Sequence, residues 1–371
     1  MNDDIRWMAL ALDEARNGIG RTAPNPPVGA VIVRNGELLG KGWHRAAGQP
    51  HAEREALAAA GDARGATIYI TLEPCSTHGR TPPCTQGLID AGIVRVVYAC
   101  VDRNPDHAGR ADAVLKAAGI AVLAGVCSDE AEKLLRPFFK VRATGLPWVI
   151  WKSAMSLDGR ITRPPGEGQW LTSETARADV QKLRSTVDAI LTSGETVRRD
   201  QPALTIRVPE LLAGRLQPWR VVVSDRPETL VLDGPMGRTL VRPRGDLTEM
   251  LRGLARDQGV LTVMIEAGGV FSAAMIEAGL IDEVVVYYAP MLCGGPSPGL
   301  AGAGLKESLH LDEIDFLQLG NDIRLRGVVR TSSVGEGLKC FHAGRESRDL
   351  ALPHYQPTIH PCALSKRVSE S

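Results

Sequence analysis

The chain has 371 residues, which is too many for one ordinary hydrophobic core, so we expect two domains. Lys plus Arg and Asp plus Glu both total 43, and this zero net charge offers no excess of positive charge for a nucleic acid. The longest apolar runs have the length of strands, and the acidic N-terminus lacks the pattern of a signal peptide. We therefore expect a cytoplasmic protein that does not enter a membrane.

The first half alternates helices and strands after an opening helix and hairpin. Apolar residues at helical spacing predict a first helix that ends near Gly18 or Gly20. Asn35-Gly36 separates two predicted strands and indicates a hairpin, because both turn positions require a positive φ. Further on, the pattern predicts helices at 52–60, 85–91, 110–118 and 129–141, and strands at 66–71, 94–100 and 120–123. We expect residues 1–145 to form a three-layer α/β sandwich.

The second half begins after Thr144-Gly145-Leu146-Pro147, a stretch rich in helix and strand breakers where we place the domain boundary. The pattern predicts strands at 148–153, 189–191, 220–223, 261–265 and 283–288, and helices at 173–185, 247–257 and 271–278. Residues 146–343 are therefore expected to form a second α/β domain. From residue 344 onward the sequence has no periodicity, which predicts a disordered tail over 344–371.

His51, Cys75 and Cys84 have the residue types of a zinc site. His51 precedes a predicted helix and Cys84 begins another, and the positive end of a helix dipole favours a thiolate. One imidazole and two thiolates suit Zn²⁺ and leave its fourth position open for water, which indicates catalysis. Glu53, two residues after His51, is placed to move the protons. The alternative is a structural zinc knuckle, which requires a fourth protein ligand and gives Glu53 no role.

The other cysteines have a simpler expectation. The chain contains seven cysteines, and an odd count argues against a framework of disulfides. We expect Cys100, Cys127 and Cys293 to be buried as small hydrophobic side chains.

The His-x-Glu pattern followed by Pro-Cys and a second Cys resembles the zinc deaminases of the cytidine-deaminase superfamily. The second cysteine here follows after eight residues instead of two. The inserted segment 76–83, together with 24–29, resembles the pyrimidine deaminase family of riboflavin biosynthesis. This resemblance implies a diaminopyrimidinone substrate that carries a ribosylamine 5-phosphate. It also implies that His78 and Arg80 hold the phosphate and that Asn25 contacts the pyrimidine or ribose, although His78 and Arg80 also fit a solvated loop.

Gly268-Gly269 joins a predicted strand to a predicted helix, and the backbone N–H groups at such a helix N-terminus offer a place for a phosphate. A tight strand-to-helix turn is the alternative. Segments 152–160, 169–173 and 196–207 resemble the reductase domain of the same pathway, which implies a dihydrofolate-reductase-like fold and NADPH. The cofactor contacts that this resemblance implies are Ala154, Trp170, Thr196, Asp200, Ser224, Gly268, Gly269, Val270, Phe271, Ser272, Ala273 and Ala274. The implied substrate contacts are Gly168, Arg184, Leu204, Arg207 and Glu266.

Charged residues of the second half suggest how substrate is held and protonated. Arg184 and Arg207 suit forked recognition of the substrate phosphate. Hydride transfer to the opened ribose leaves an alkoxide, and Asp200 or Lys152 is the candidate source of its proton. The alternatives are a helix cap for Asp200 and a solvated side chain for Lys152.

The resemblance covers about residues 1–330 and implies a bifunctional enzyme, deaminase first and reductase second, that uses Zn²⁺ and NADPH. It implies a small pyrimidine ribosyl phosphate as substrate and a homo-oligomer as the assembly. One alternative is a nucleic-acid or nucleoside deaminase fused to a non-catalytic nucleotide-binding domain. Editing of nucleic acid requires basic and aromatic surface, whereas aromatic residues make up 4% of this chain. The other alternative concerns the second half alone, as a nucleotide-sensing or oligomerisation module.

Overall fold

The architecture is taken from a computed structural model that describes residues 3–77, 83–103, 109–232, 238–302 and 304–330. His78, Arg80 and the expected tail over 344–371 lie outside these residues. Among the described residues, no helix combines the length and the apolar character needed to cross a membrane.

Five strands form the first sheet, in the order β2-β1-β3-β4-β5. The strands are β1 (Gly29–Arg34), β2 (Glu37–Trp43), β3 (Thr67–Leu72), β4 (Arg95–Cys100) and β5 (Ala121–Ala124). The helices are α1 (Asp3–Arg16), α2 (Ala52–Ala60), α3 (Cys84–Asp90), α4 (Arg110–Ala117) and α5 (Ser128–Thr144). The predicted hairpin is confirmed, because Asn35 and Gly36 have φ values of 54° and 79° between β1 and β2.

Helices cover both faces of this sheet because successive strand residues point to opposite sides. Val31 and Val97 pack with α1 and α5 on one face, whereas Ile32 and Ile68 pack with α2, α3 and α4 on the other. The expected three-layer sandwich is therefore confirmed.

Eight strands form the second sheet, in the order β12-β13-β11-β6-β10-β7-β8-β9. The strands are β6 (Trp148–Ser156), β7 (Ala189–Ser193), β8 (Trp219–Val223), β9 (Thr239–Arg242), β10 (Thr262–Ile265), β11 (Glu283–Ala289), β12 (Leu311–Leu319) and β13 (Asp322–Val329). The helices are α6 (Glu174–Arg184), α7 (Gly194–Asp200), α8 (Pro209–Leu212), α9 (Leu247–Gln258) and α10 (Gly269–Glu277). The strands from β11 to β9 are parallel, whereas β13 and β12 continue the sheet as an antiparallel edge.

This second sheet is also covered on both faces. Leu191 and Val263 pack with α9 and α10, and Ile190 and Met264 pack with α6 on the opposite face. The carboxyl ends of the parallel strands meet at one edge of the sheet, which is where α/β proteins bind their ligands.

Helix α5 contacts both sheets. Phe138 and Phe139 share a buried cluster with Leu261, the residue before β10. The ammonium of Lys140 lies 2.5 Å from the carboxylate of Asp282, which also accepts the N–H of Val149 at 2.7 Å. The domain boundary near residue 145 stays a prediction.

The cysteine expectation is confirmed at one position only. Cys100 is buried, but Cys127 and Cys293 are only partly buried, so the prediction is wrong for these two. Both lie outside strands and helices, Cys127 just before α5 and Cys293 after β11, where backbone runs over the surface.

Candidate active sites

The side chains of His51, Cys75 and Cys84 converge in the first half. His51 Nδ1 lies 3.3 Å from Cys84 Sγ and 3.7 Å from Cys75 Sγ. Zinc bonds of about 2.0–2.3 Å at tetrahedral angles separate a nitrogen and a sulfur ligand by about 3.6 Å. These residues therefore fit one zinc ion. They are the one group of three or more His, Cys, Asp or Glu residues with such spacing that the described part of the chain contains.

The local fold explains why the two sulfurs suit a metal ion. Cys75 lies in the loop after β3, and the N–H of Cys84, at the start of α3, donates to its sulfur at 3.2 Å. The hydrogen bond from the Cys84 thiol lowers the pKa of Cys75 to about 4, and donating that bond raises the pKa of Cys84. Binding of a metal ion requires both sulfurs to lose their protons.

Glu53 lies beside the metal ligands in the first turn of α2. Its side chain is 4% exposed and bonds to the Cys84 side chain, and burial raises the pKa of its carboxyl group. Glu53 and His51 line a cavity of about 140 Å³, together with Asn25 and Asp102. A ligand in this cavity therefore meets a carboxyl group next to the metal site.

Asn25 is held by a histidine that the sequence did not single out. Asn25 Nδ2 lies 2.9 Å from His44 Nε2, and His44 Nδ1 lies 3.0 Å from the carbonyl oxygen of Pro50. His44 is buried, and burial lowers its pKa, so the ring is neutral, with Nδ1 donating and Nε2 accepting. This orients the Asn25 amide at the cavity wall. A lone histidine after a strand carries no sequence signal for such a role.

Glu73 is a second residue that the sequence did not single out. Its carboxylate is buried and accepts the backbone N–H groups of Asp102, Gly109 and Ala111 at 3.2, 3.0 and 3.0 Å. Glu73 therefore attaches Asp102 and the start of α4 to the chain two residues before Cys75. The sequence feature that could have indicated this role is a glutamate between an apolar strand and Pro74-Cys75.

In the second half, Glu266 joins two predicted site residues at the carboxyl edge of the sheet. Arg184 Nε and Nη2 donate to the Glu266 carboxylate at 2.8 and 3.1 Å, and Lys152 Nζ lies 3.3 Å away. These side chains are only 11–13% exposed. Burial raises the pKa of the Glu266 carboxyl group, but the positive charges of Arg184 and Lys152 outweigh this effect and lower the pKa to about 2.

The observed contacts change the interpretation of three predicted residues. The fork of Arg184 engages Glu266, so it is not directed at solvent as a free phosphate-binding group. The alternative of a solvated Lys152 is wrong because the side chain is buried in an ion pair. The side chain of Arg207 is exposed, and its backbone N–H donates to Gln181 Oε1 at 2.7 Å. Arg207 therefore carries the stronger case for a phosphate contact.

The N-terminus of α10 lies beside Thr196. Thr196 Oγ1 accepts the N–H of Gly268 at 3.3 Å and lies 2.9 Å from Ser193 Oγ. At Gly269 a Cβ atom would approach the carbonyl oxygen of Pro298 to 2.4 Å, so only glycine fits there. The structure thus brings Thr196 of α7 to the start of α10, and the backbone N–H groups that begin α10 suit a phosphate of NADPH.

The other predicted cofactor residues of α10 differ in exposure. Val270 is 73% exposed and Phe271 and Ala274 are half-buried. Ser272 and Ala273 are buried in the core, so a cofactor cannot reach their side chains without rearrangement.

Four more predicted residues lie at or near this edge. Trp170 is 53% exposed and lies under the guanidinium of Arg177. Ala154 is half-buried in β6, and Ser224 is buried and accepts the N–H of Arg226 at 3.2 Å. Asp200 is the exposed last residue of α7, so the alternative of an N-terminal helix cap is wrong.

The remaining two substrate positions have unusual backbones. Gly168 is exposed with a φ of 92°. Leu204 is buried and has a φ of 50°, a conformation that is strained for a residue with a side chain.

Comparison with known proteins agrees with both sites. The family model of the cytidine and deoxycytidylate deaminase zinc-binding region matches residues 1–100. The model described as RibD C-terminal domain matches residues 147–325. The fold and the two sites thus define a zinc deaminase joined to a reductase in one chain.

Full-length relatives narrow this class. The chain is 40% identical over 363 residues to the riboflavin biosynthesis protein RibD of Haemophilus influenzae, covering 87% of this chain and 97% of the relative. It is 43% identical over 352 residues to RibD of Escherichia coli, covering 85% and 96%. The chain belongs to the RibD family of riboflavin biosynthesis proteins.

Solved structures agree with this assignment. An Acinetobacter baumannii RibD structure matches with a TM-score of 0.79 at 40% identity, covering 88% of this chain and 99% of that chain. A Thermotoga maritima diaminohydroxyphosphoribosylaminopyrimidine deaminase/5-amino-6-(5-phosphoribosylamino)uracil reductase matches with a TM-score of 0.76 at 29% identity, with the same coverage. The cytidine-deaminase-like and dihydrofolate-reductase-like folds are confirmed, as are Zn²⁺ and NADPH as cofactors. The alternatives of a nucleic-acid deaminase and of a non-catalytic second half are not supported.

Proposed function

We propose that the chain deaminates 2,5-diamino-6-(5-phosphoribosylamino)pyrimidin-4-one and then reduces the ribosyl group of the product to ribityl with NADPH. The observation that carries the proposal is the presence of two separate sites in one RibD-family chain. One site has three metal ligands beside a buried carboxyl group, and the other lies at the carboxyl edge of the second sheet. The activity by which the Thermotoga maritima relative is named supports the substrate assignment.

In the deamination site, the protein residues bind and orient the pyrimidine and move protons. His51, Cys75 and Cys84 would hold Zn²⁺, which would supply Lewis-acid activation of a water molecule near neutral pH. Glu53 removes a proton as water adds to the ring carbon and delivers it to the amino nitrogen, which leaves as ammonia when its bond to carbon breaks. Asn25, oriented by His44, contacts the ring.

In the reduction site, Thr196, Gly268 and Gly269 would hold NADPH at the start of α10. The cofactor would supply the hydride for C1 of the opened ribose, and a residue of this chain supplies the proton that the carbonyl oxygen then needs. Arg207 contacts the substrate phosphate. We propose that Asp200 or Lys152 donates this proton. Glu266 holds Lys152 in place.

The test is incubation of purified protein with the pyrimidine substrate, with and without NADPH, while ammonia and the absorbance of NADPH are followed. Ammonia release without NADPH, and NADPH oxidation only after deamination, are expected. Ammonia release that requires NADPH, or no NADPH oxidation at all, contradicts the proposed order.

We also propose a cellular compartment and an oligomeric state for this protein. The described cysteines form no disulfide, which supports a reducing compartment such as the cytoplasm. We assign a homo-oligomer on the resemblance to the family, and sedimentation of the purified chain tests it. We also propose the domain boundary near residue 145; the end of α5 at Thr144 and the start of β6 at Trp148 support this position.

A further inference from the structure

A second cavity lies at the opposite edge of the eight-stranded sheet from the reductase site. Its volume is about 110 Å³. Its walls include Asp188, Pro218, Arg238 and Gly259, which all precede strands of this sheet, and they also include the segment after α1, at 20–23. The cavity is therefore separate from the carboxyl ends of the strands, and neither proposed activity uses it.

Two arginines line this space, which we call the arginine cavity, and a third lies behind its wall. Arg21 and Arg238 line it, and Arg215 lies against Gly20, where a Cβ atom would be 3.1 Å from Arg215 Nη1. The Nε atoms of all three arginines, and Nη1 of Arg215, are buried without a hydrogen-bond partner among the described residues. Buried donors of this kind are costly unless an acceptor satisfies them.

The acidic group in the cavity wall does not balance these charges. Asp188 accepts the backbone N–H groups of Leu261 and Thr262, each at 2.9 Å, and burial raises its pKa to about 6. Arg215 and Arg238 act on this carboxyl group, which is already hydrogen-bonded to backbone, and Arg21 adds a third positive charge beside Arg215. Burial, together with the charge of Arg21, lowers the pKa of Arg215 to about 10. The cavity has an excess of positive charge that an anion would neutralise.

Local packing holds these arginines in place. The guanidinium of Arg238 lies 4.0 Å from the centre of the Trp219 ring, and stacking of this kind leaves the N–H edge available. Two glycines with positive φ allow the close approach of backbone to the other two arginines. A Cβ atom built on Gly20 would lie 3.1 Å from Arg215 Nη1, and a Cβ atom built on Gly214 would lie 2.9 Å from Arg21 Nη1.

We infer that the arginine cavity binds a phosphate group, either inorganic phosphate or the phosphate of a small monoester. Guanidinium N–H groups match tetrahedral oxyanions, and the volume accommodates a group of about five heavy atoms. Because residues 20–23 follow α1 and the other walls belong to the second sheet, a bound phosphate joins the two halves. A phosphate that binds the folded chain and not the unfolded chain raises the stability of the folded chain.

The test measures binding of inorganic phosphate to the zinc-loaded full chain by calorimetry and by the midpoint of thermal unfolding. KCl at equal ionic strength is the reference. We expect a saturable rise in the midpoint for wild type and at least tenfold weaker binding for Arg215→Gln/Arg238→Gln. Arg6→Gln is the matched control, because Arg6 also stacks on a tryptophan, Trp7, but lies outside the cavity. Its affinity should equal that of wild type.

A second arm uses ribose 5-phosphate in place of inorganic phosphate. Tighter binding of the ester that depends on Arg215 and Arg238 identifies a monoester as the ligand, and weaker binding identifies free phosphate. Absence of saturable phosphate binding, or affinity unchanged in the double variant, overturns the proposal. If the double variant does not fold, the single variant Arg21→Gln is measured in the same way, and unchanged affinity there has the same meaning.

Discussion

Replacement of Glu266 by glutamine tests the ionic cluster of the second half. The substitution keeps the shape of the side chain but leaves Arg184 and Lys152 buried without their counter-charge. Breaking a buried ion pair by removal of one partner typically costs about 3–5 kcal/mol. The pKa gives a similar magnitude, because a decrease from 4.5 to about 2 corresponds to about 3 kcal/mol.

The pH dependence has a definite sign. The folded-state pKa of Glu266 is lower than its ordinary value, so its contribution to stability is complete above about pH 4.5 and disappears as the pH falls toward 2. Glu266→Gln should therefore lower the free energy of unfolding by about 3 kcal/mol at pH 7 and by less than half as much near pH 3.

Urea unfolding followed by circular dichroism measures this difference. Glu249→Gln is the matched control, since Glu249 also pairs with two arginines, Arg252 and Arg256, but is 52% exposed. An exposed pair contributes about 0–1 kcal/mol, so the control should change little. Equal effects of the two substitutions, or a loss for Glu266→Gln that does not depend on pH, refute the reasoning.

Three further substitutions test the first half. Glu73→Gln should destabilise the chain by about 1–3 kcal/mol in urea unfolding, because an amide cannot accept all three backbone N–H groups; an effect no larger than that of exposed Glu37→Gln contradicts this role. Glu53→Gln should bind zinc as wild type does, while ammonia release falls at least ~10²-fold; full ammonia release excludes Glu53 as the proton carrier. Cys84→Ser should lose zinc and stability together, and normal zinc content by atomic absorption removes Cys84 from the ligands.

Local signals accounted for much of the first half. The Asn35-Gly36 pair fixed the hairpin, and the alanine-rich segment after His51 became α2 with the bounds that its pattern predicted. Sequence motifs also located the three metal ligands, and the fold brings their ligand atoms within 4.8 Å of one another. These features depend on residues that are close in sequence or on a specific set of ligand types.

Elements without a local pattern were missed. The edge strand β12 is exposed along most of its length and carries several acidic residues. Its sequence therefore lacks the run of apolar residues that predicts a buried strand. Helix α7 is short and charged, and β9 and β13 were missed as well.

Pairings between distant residues could not be predicted either. Arg184 and Glu266 are 82 positions apart, and only the fold shows that the arginine fork is used by a carboxylate of the same chain. The contact of Lys140 with Asp282 and the grouping of Arg21 with Arg215 depend in the same way on how the two sheets are arranged.

The central claim is that one chain carries two sites, of which only the first requires a metal ion. The most direct measurement is removal of zinc from the full chain by a chelator, with ammonia release and NADPH oxidation assayed on the same sample. Ammonia release should stop, whereas NADPH oxidation should continue when deaminated substrate is supplied, because the three metal ligands lie around the first sheet and Thr196, Gly268 and Glu266 lie at the edge of the second. Ammonia release that persists without zinc, or loss of both activities together in a chain that stays folded, would contradict this account.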